Sequence, residues 1–176
     1  MPFSFLRRRT ILKLGVAGAA VVAGGAAGLV ALRGTAPPTA GLRTLSPQQF
    51  RTLANIARAQ IPAGGAFALG ADDLELARAF DGFLANEGPE NQSDLKTALG
   101  LVEYGPVIFE RRLHTFSNLD EAARLDHWRS WCMSDLALRR QVSTAFRKFM
   151  LLVGFDDPRV WASIGYPGPS LWGRPS

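Results

Sequence analysis

Leu45-Ser46-Pro47-Gln48-Gln49-Phe50-Arg51-Thr52-Leu53-Ala54-Asn55-Ile56-Ala57-Arg58-Ala59-Gln60-Ile61-Pro62 is the stretch that decides the fold. Ser46 stands where a helix N-cap belongs, Pro47 occupies the first helical position, and Gln49 sits three residues after the cap. Together they form a capping box, with Leu45 and Phe50 spaced as a hydrophobic staple across it. Behind the start, Phe50, Leu53, Ile56, Ala57 and Ile61 follow the 3.6-residue period of a helix with one apolar face. Pro62-Ala63-Gly64-Gly65 ends it.

The same signals recur downstream. A second helix is expected from about Asp72, with Asp72 as cap and Glu75 at the third position, carrying Leu76, Ala77, Phe80, Phe83 and Leu84. Glu87-Gly88-Pro89-Glu90-Asn91 reads as a break. A third helix runs from about Ser93 through Leu95, Leu99 and Val102, with a kink or restart at Gly105-Pro106 into Val107, Ile108, Phe109 and Leu113. A fourth begins between Asn118 and Asp120 and holds Ala122, Leu125, Trp128 and Trp131. A fifth starts near Ser134 or Asp135, contains Leu136, Val142, Phe146, Phe149, Met150 and Val153, and stops at Gly154. No stretch alternates as a strand better than it repeats as a helix. The expected class is all-α, about five helices in one compact bundle-like domain.

Upstream lies Arg7-Arg8-Arg9-Thr10-Ile11-Leu12-Lys13, followed by a Gly/Ala-rich apolar run. Arg8 and Arg9 form the pair of a twin-arginine export signal, Ile11 and Leu12 are its apolar positions, and Lys13 is the basic residue after them. That route, through the twin-arginine translocase, carries proteins that fold before crossing the membrane. The uncharged run Leu14–Leu32 would be about 28 Å long as a helix, close to the ~30 Å of a bilayer core. Small-residue cleavage sites in and after it are poor, with Pro37, Pro38 or Leu29 at unfavourable places. The favoured expectation is therefore an uncleaved or inefficiently cleaved anchor in the inner membrane, with the body in the periplasm. The chain divides into a signal and anchor (1–33), a Pro/Gly/Thr linker (34–44), a helical domain (45–154) and an irregular Pro/Gly/Trp-rich tail (155–176).

Charge follows that division. The 176-residue chain carries 20 Lys and Arg against 15 Asp and Glu. Five of the basic residues lie in the first 33 positions and no acidic residue precedes Asp72, so the body is formally neutral. It offers no basic excess for nucleic acid, which is not an expected partner. Cys132 is the only cysteine, which excludes an intrachain disulfide, and its apolar surroundings read as a buried small hydrophobe.

Catalytic constellations are scarce. His114 and His127 are the only histidines; no HExxH, CxxC or CxxCH is present, and no glycine-rich loop follows a strand. The two histidines are expected to be partly exposed polar residues on different helices. Arg111-Arg112 and Arg139-Arg140 read as solvated helix faces, with Arg139 and Arg140 also candidates for pairing with a partner's acidic surface. No catalytic, cofactor-binding or metal-ligating residue is assigned. The tail is different: Asp156-Asp157-Pro158-Arg159-Val160-Trp161-Ala162-Ser163-Ile164-Gly165-Tyr166-Pro167-Gly168-Pro169-Ser170-Leu171-Trp172 concentrates aromatics where periodicity has stopped. Such residues fold back on their own core or dock on another protein. Trp161, Ile164, Tyr166, Pro167 and Trp172 are the docking candidates.

Taken together, the twin-arginine leader, the Leu45-Ser46-Pro47 start with Leu53 to Pro62, and Asp157-Pro158 with Trp161 and Ile164 to Pro169 resemble a known family. It is the small-subunit ("subunit 3") family of membrane-bound gluconate 2-dehydrogenase. Leu125 to Trp131, Ser134 and Arg139-Arg140 fit the same pattern, and the resemblance covers most of residues 45–169. It implies a non-catalytic subunit that exports and stabilises a large partner of the glucose–methanol–choline oxidoreductase class. The partner would hold FAD, oxidise an alcohol or sugar, and pass electrons to a cytochrome c subunit or to quinone. Two alternatives stand beside this: a self-sufficient periplasmic enzyme, such as a metal-dependent hydrolase using His114 and His127, and a membrane-anchored scaffold without a redox partner.

Overall fold

The computed structural model describes residues 32–64 and 68–168. Arg8, Arg9, Ile11, Leu12, Lys13 and Trp172 lie outside the described residues. Within them the chain is all-helical. Seven α-helices follow one another: α1 Pro47–Gln60, α2 Leu76–Leu84, α3 Pro89–Glu103, α4 Gly105–Glu110, α5 Glu121–Cys132, α6 Ala137–Phe155 and α7 Pro158–Ser163, with a 3-10 turn at Phe116–Asn118. The expected five are there; the two extra helices are the restart after Tyr104 and a helix inside the tail. Among the described residues no helix is long and apolar enough to cross a membrane.

α1 starts as its sequence demands. Gln49 N–H donates to Ser46 Oγ at 3.3 Å and Ser46 N–H donates to Gln49 Oε1 at 2.9 Å, closing the capping box. Six consecutive residues, Thr52 to Ala57, are buried. A helix with no exposed face through a turn and a half is central, and α1 packs against α2, α3, α5 and α6. Leu53 and Ile56 are wholly buried, and so are Phe80, Phe116, Trp131, Phe146 and Met150, which arrive from the surrounding elements. Each such side chain contributes roughly 1.5–3 kcal/mol by leaving water, as an upper bound.

Helix starts depart from expectation where a loop competes for the capping group. α2 begins at Leu76 rather than near Asp72. Asp73 Oδ2 accepts from Gly70 N–H at 2.8 Å, closing a turn, and Glu75 takes a left-handed backbone with φ 47°. Asp72 pairs instead with Arg58, Nε to Oδ2 2.8 Å. α3 begins at Pro89, not Ser93: a proline at the first helical position starts a helix as readily as it ends one. α6 begins at Ala137 because Ser134 Oγ accepts from Leu136 N–H, holding residues 134–136 in a turn. Its C-terminal end passes through Gly154, which is buried within the helix beside Leu76, and reaches Phe155.

The linker is fastened rather than free. Buried Asp81 of α2, 1% exposed, accepts three backbone N–H groups: Arg43 at 2.6 Å, Thr44 at 3.1 Å and Leu45 at 2.8 Å. A carboxylate so surrounded is satisfied without a cation. Further upstream, Asn118 Nδ2 donates to the carbonyls of Leu32 (2.7 Å) and Arg33 (3.1 Å), and Gln48 Nε2 donates to that of Gly34 (3.0 Å). Residues 32–34 are therefore held against α1 and the 3-10 turn.

Candidate functional site

The described part of the expected docking tail, residues 155–168, packs on the helical domain. Pro158 is at the first position of α7 and Asp157 is its cap, accepting from Arg159 N–H at 2.9 Å. Arg159 closes back on the same carboxylate, Nη2 to Oδ2 2.6 Å, and donates to the Asp73 carbonyl at 3.0 Å, which ties α7 to the turn before α2. That guanidinium holds the Asp157 carboxyl below its ordinary range and is itself raised by the pairing. Val160 enters the core, 8% exposed. The sequence pattern did not show this helix, because six residues are too few to display a period and only Val160 is buried.

Trp161 lies half-buried. Its indole N–H donates to the Phe155 carbonyl at 2.5 Å, one of the orphan acceptors at the end of α6. Tyr166 stands edge-on to it, centroids 5.8 Å apart, and Tyr166 N–H donates to the Trp161 carbonyl at 2.9 Å. Gly168, at φ +93°, lays its backbone against the indole, where a Cβ would meet Cζ3 at 3.2 Å. Ile164 and Tyr166 remain nearly half exposed and Pro167 is exposed. An apolar groove of about 400 Å³ opens between α7, the end of α6 and the Ile61–Leu74 loop, with Met150, Leu151 and Phe155 in its wall.

The two arginine pairs separate. Arg139 is not a solvated helix-face residue. Its guanidinium lies 5.1 Å from the Phe109 ring centroid and 5.2 Å from that of Trp131, and Nη2 donates to Ser130 Oγ at 2.5 Å. It is spoken for inside the domain. Arg140 is exposed and donates to the Ser134 carbonyl before α6. Arg111 ends α4 in the left-handed conformation, φ 55°, and Arg112 Nε sits 3.0 Å from Glu110 Oε2.

The largest departure from the sequence reading is His127. It is 2% exposed, not partly solvated. Trp131 Nε1–H donates to His127 Nε2 at 2.8 Å, and His127 Nδ1 lies 2.5 Å from Glu110 Oε1. An indole nitrogen can only donate, so Nε2 must be bare. The proton is then on Nδ1 and is given to Glu110, and the imidazole is neutral. Burial holds its pKa below the ordinary histidine value, against the opposing pull of the Glu110 carboxylate. Gly105 completes the pocket: a Cβ there would meet Nε2 at 2.8 Å and Trp131 Cζ2 at 2.9 Å. Both ring nitrogens are occupied, so His127 presents no lone pair to a metal or a substrate. His114 is exposed in the loop after α4 rather than on a helix, and no group of three metal-ligating side chains occurs among the described residues.

A second buried polar cluster joins α1, α3 and the 3-10 turn. Glu103 Oε2 accepts from Thr52 Oγ1 at 2.8 Å and from Ser117 Oγ at 2.6 Å. Beside it, buried Asn55 accepts from Arg124 Nη1 at 3.0 Å and Arg58 Nη1 at 3.1 Å. These contacts fix how the central helix sits against its neighbours. Cys132 is half-buried and unbridged.

The chain matches no family model, no curated protein and no solved structure.

Proposed function

We propose that this chain is the non-catalytic small subunit of an exported flavoprotein dehydrogenase. It carries the export signal, travels with a large FAD-binding partner that oxidises an alcohol or sugar, and holds that partner at the periplasmic face of the inner membrane through Leu14–Leu32. A cytochrome c subunit would be a further member of the complex. The observation that carries the reading is the Arg8-Arg9 pair in its full signal context, placed ahead of a neutral helical body.

Two structural observations support it. The buried histidine, which is the best general base by residue type, has both nitrogens engaged inside the domain. The residues at the start of the described chain are held to the body: Asn118 and Gln48 bind the carbonyls of Leu32, Arg33 and Gly34. A helical domain that closes from residue 32 onward suits a route that moves folded cargo.

The test is purification of the full chain from the membrane fraction of its native host. The expected result is a co-purifying larger chain with flavin absorbance and alcohol or sugar dehydrogenase activity. A homogeneous chain, colourless and without a partner, refutes the reading.

A further inference from the structure

His127 is sealed beneath α4, and α4 is a light cover. Of its six residues only Gly105 and Pro106 are buried, and Ile108 is 56% exposed. A backbone break bounds it at each end. Tyr104 leaves the helical conformation before it, at φ −91° and ψ 0°, and Arg111 turns left-handed after it, at φ 55°. Gly105 packs beside His127 Nε2, Glu110 Oε1 sits on Nδ1, and Phe109 stands edge-on to Trp131 with centroids 5.7 Å apart. Two of these three contacts touch the imidazole itself. The ring's other neighbours are wholly buried parts of the domain: Trp131, one turn further along α5, and Phe116 of the 3-10 turn.

The closed site accepts one protonation state. Trp131 Nε1–H is aimed at Nε2 from 2.8 Å, and an indole nitrogen cannot accept. A second proton on the ring would set two donors head to head. The charged groups facing the ring are Glu110 on α4, Arg112 after it and Arg139 on α6. Glu110 favours the imidazolium, the two arginines oppose it, and burial outweighs the carboxylate. A charged ring therefore needs water, and the side not walled by Phe116 and Trp131 is the side that α4 covers.

We propose that α4 is an acid-released lid: protonation of His127 frees residues 105–112 from the domain and bares the imidazole, while the other helices stay packed. The inference goes beyond the proposed function and does not rest on it. At neutral pH the lid is shut, because the ring is neutral and accepts from Trp131. Below about pH 6.5, the ordinary histidine value, the open form takes up the proton first. Its population then rises by at most about tenfold per pH unit. Opening uncovers Phe109 and the Trp131 indole, and it parts the Arg139 guanidinium from the Phe109 ring 5.1 Å away.

Hydrogen exchange of the full chain at pH 7 and pH 5, corrected for the intrinsic pH dependence of exchange, tests this. The reporters are the amides of Val107 and Ile108, which donate to the Tyr104 carbonyl, and of Arg112, which donates to that of Pro106. The reference is the buried stretch of α1 from Leu53 to Ala57. Protection of residues 107–112 is expected to fall roughly three- to thirtyfold between pH 7 and pH 5. At pH 5 it should stay well below that of α1, and low urea should accelerate exchange in α1 but hardly at 107–112, since a local opening exposes little surface. His127→Gln, whose side chain can still accept from the indole, should abolish the fall. Glu110→Gln removes the one charge that favours the imidazolium and should move the fall to lower pH. If His127→Gln does not fold, the Glu110→Gln shift decides. The lid is overturned by unchanged protection at 107–112, by protection there equal to that of α1 at pH 5, or by a fall that survives His127→Gln. A Glu110→Gln midpoint that stays or rises overturns it as well.

Discussion

Trp131 and Trp161 follow one rule to different ends. Each is packed on the domain, and each indole N–H needs an acceptor. Trp131 is wholly buried and donates to His127 Nε2, a group that titrates; Trp161 is half-buried and donates to the Phe155 carbonyl, which does not. The first pocket joins α4, α5 and the 3-10 turn and is closed by Gly105. The second only pins the tail to the end of α6. A tryptophan's place in the sequence therefore says little about its task. Trp131, in the long helix α5, is the keystone of a buried polar network, and Trp161, in the short helix α7, is a clasp.

The comparison breaks most sharply by truncation. Trp131→Ala is expected to cost about 3–5 kcal/mol, the range for a large buried aromatic, whereas Trp161→Ala should cost less, about 1–2 kcal/mol, because that ring is only partly buried. Urea denaturation of both variants measures this; equal losses would refute the distinction. Gly105→Ala comes next. The new methyl meets His127 and the Trp131 ring below 3 Å, and overpacking of this kind costs about 1–3 kcal/mol.

Acidity acts on the first site through His127. The unfolded imidazole titrates near 6.5 and the folded one lower, because burial disfavours the imidazolium. The unfolded chain therefore binds the extra proton first. The His127 contribution is complete above about pH 6.5 and is lost as pH falls from there through the folded value. The slope is at most about 1.4 kcal/mol per pH unit. Glu110 on α4, Arg112 after it and Arg139 on α6 are the charges facing the ring, and the arginines oppose its protonation. His127→Gln, which can still accept from the indole, should flatten stability between pH 5 and 6.5. An unchanged slope would show that the ring is not the titrating group. Smallest of all, Trp161→Phe removes only the N–H from the tail clasp and should cost about 1 kcal/mol or less, with no pH dependence.

What the sequence made legible was local. The Ser46–Gln49 box, the Asp120 cap of α5 and the break at Gly105-Pro106 are read within a few residues and appear as expected. What it hid was long-range. Asp81 holds a strand of linker 36 to 38 residues away, and Thr52 and Glu103 meet across 51. Polar residues at those positions look like exposed faces until the partner is in place. His127 was hidden for the same reason: its partners Glu110 and Gly105 belong to a different helix. α7 escaped because a six-residue helix has no period to detect. Of the docking candidates, Trp161 and Arg139 are already committed within the domain. The export residues Arg8 to Lys13 are read from the sequence alone.

The central claim is that those residues export a second protein. Replacing Arg8-Arg9 by Lys-Lys in the native host, followed by fractionation and assay of the flavoprotein, tests it directly. The large flavin-bearing chain and its dehydrogenase activity are expected to disappear from the periplasmic and membrane fractions and stay in the cytoplasm. A flavoprotein still exported in the Lys-Lys strain contradicts it.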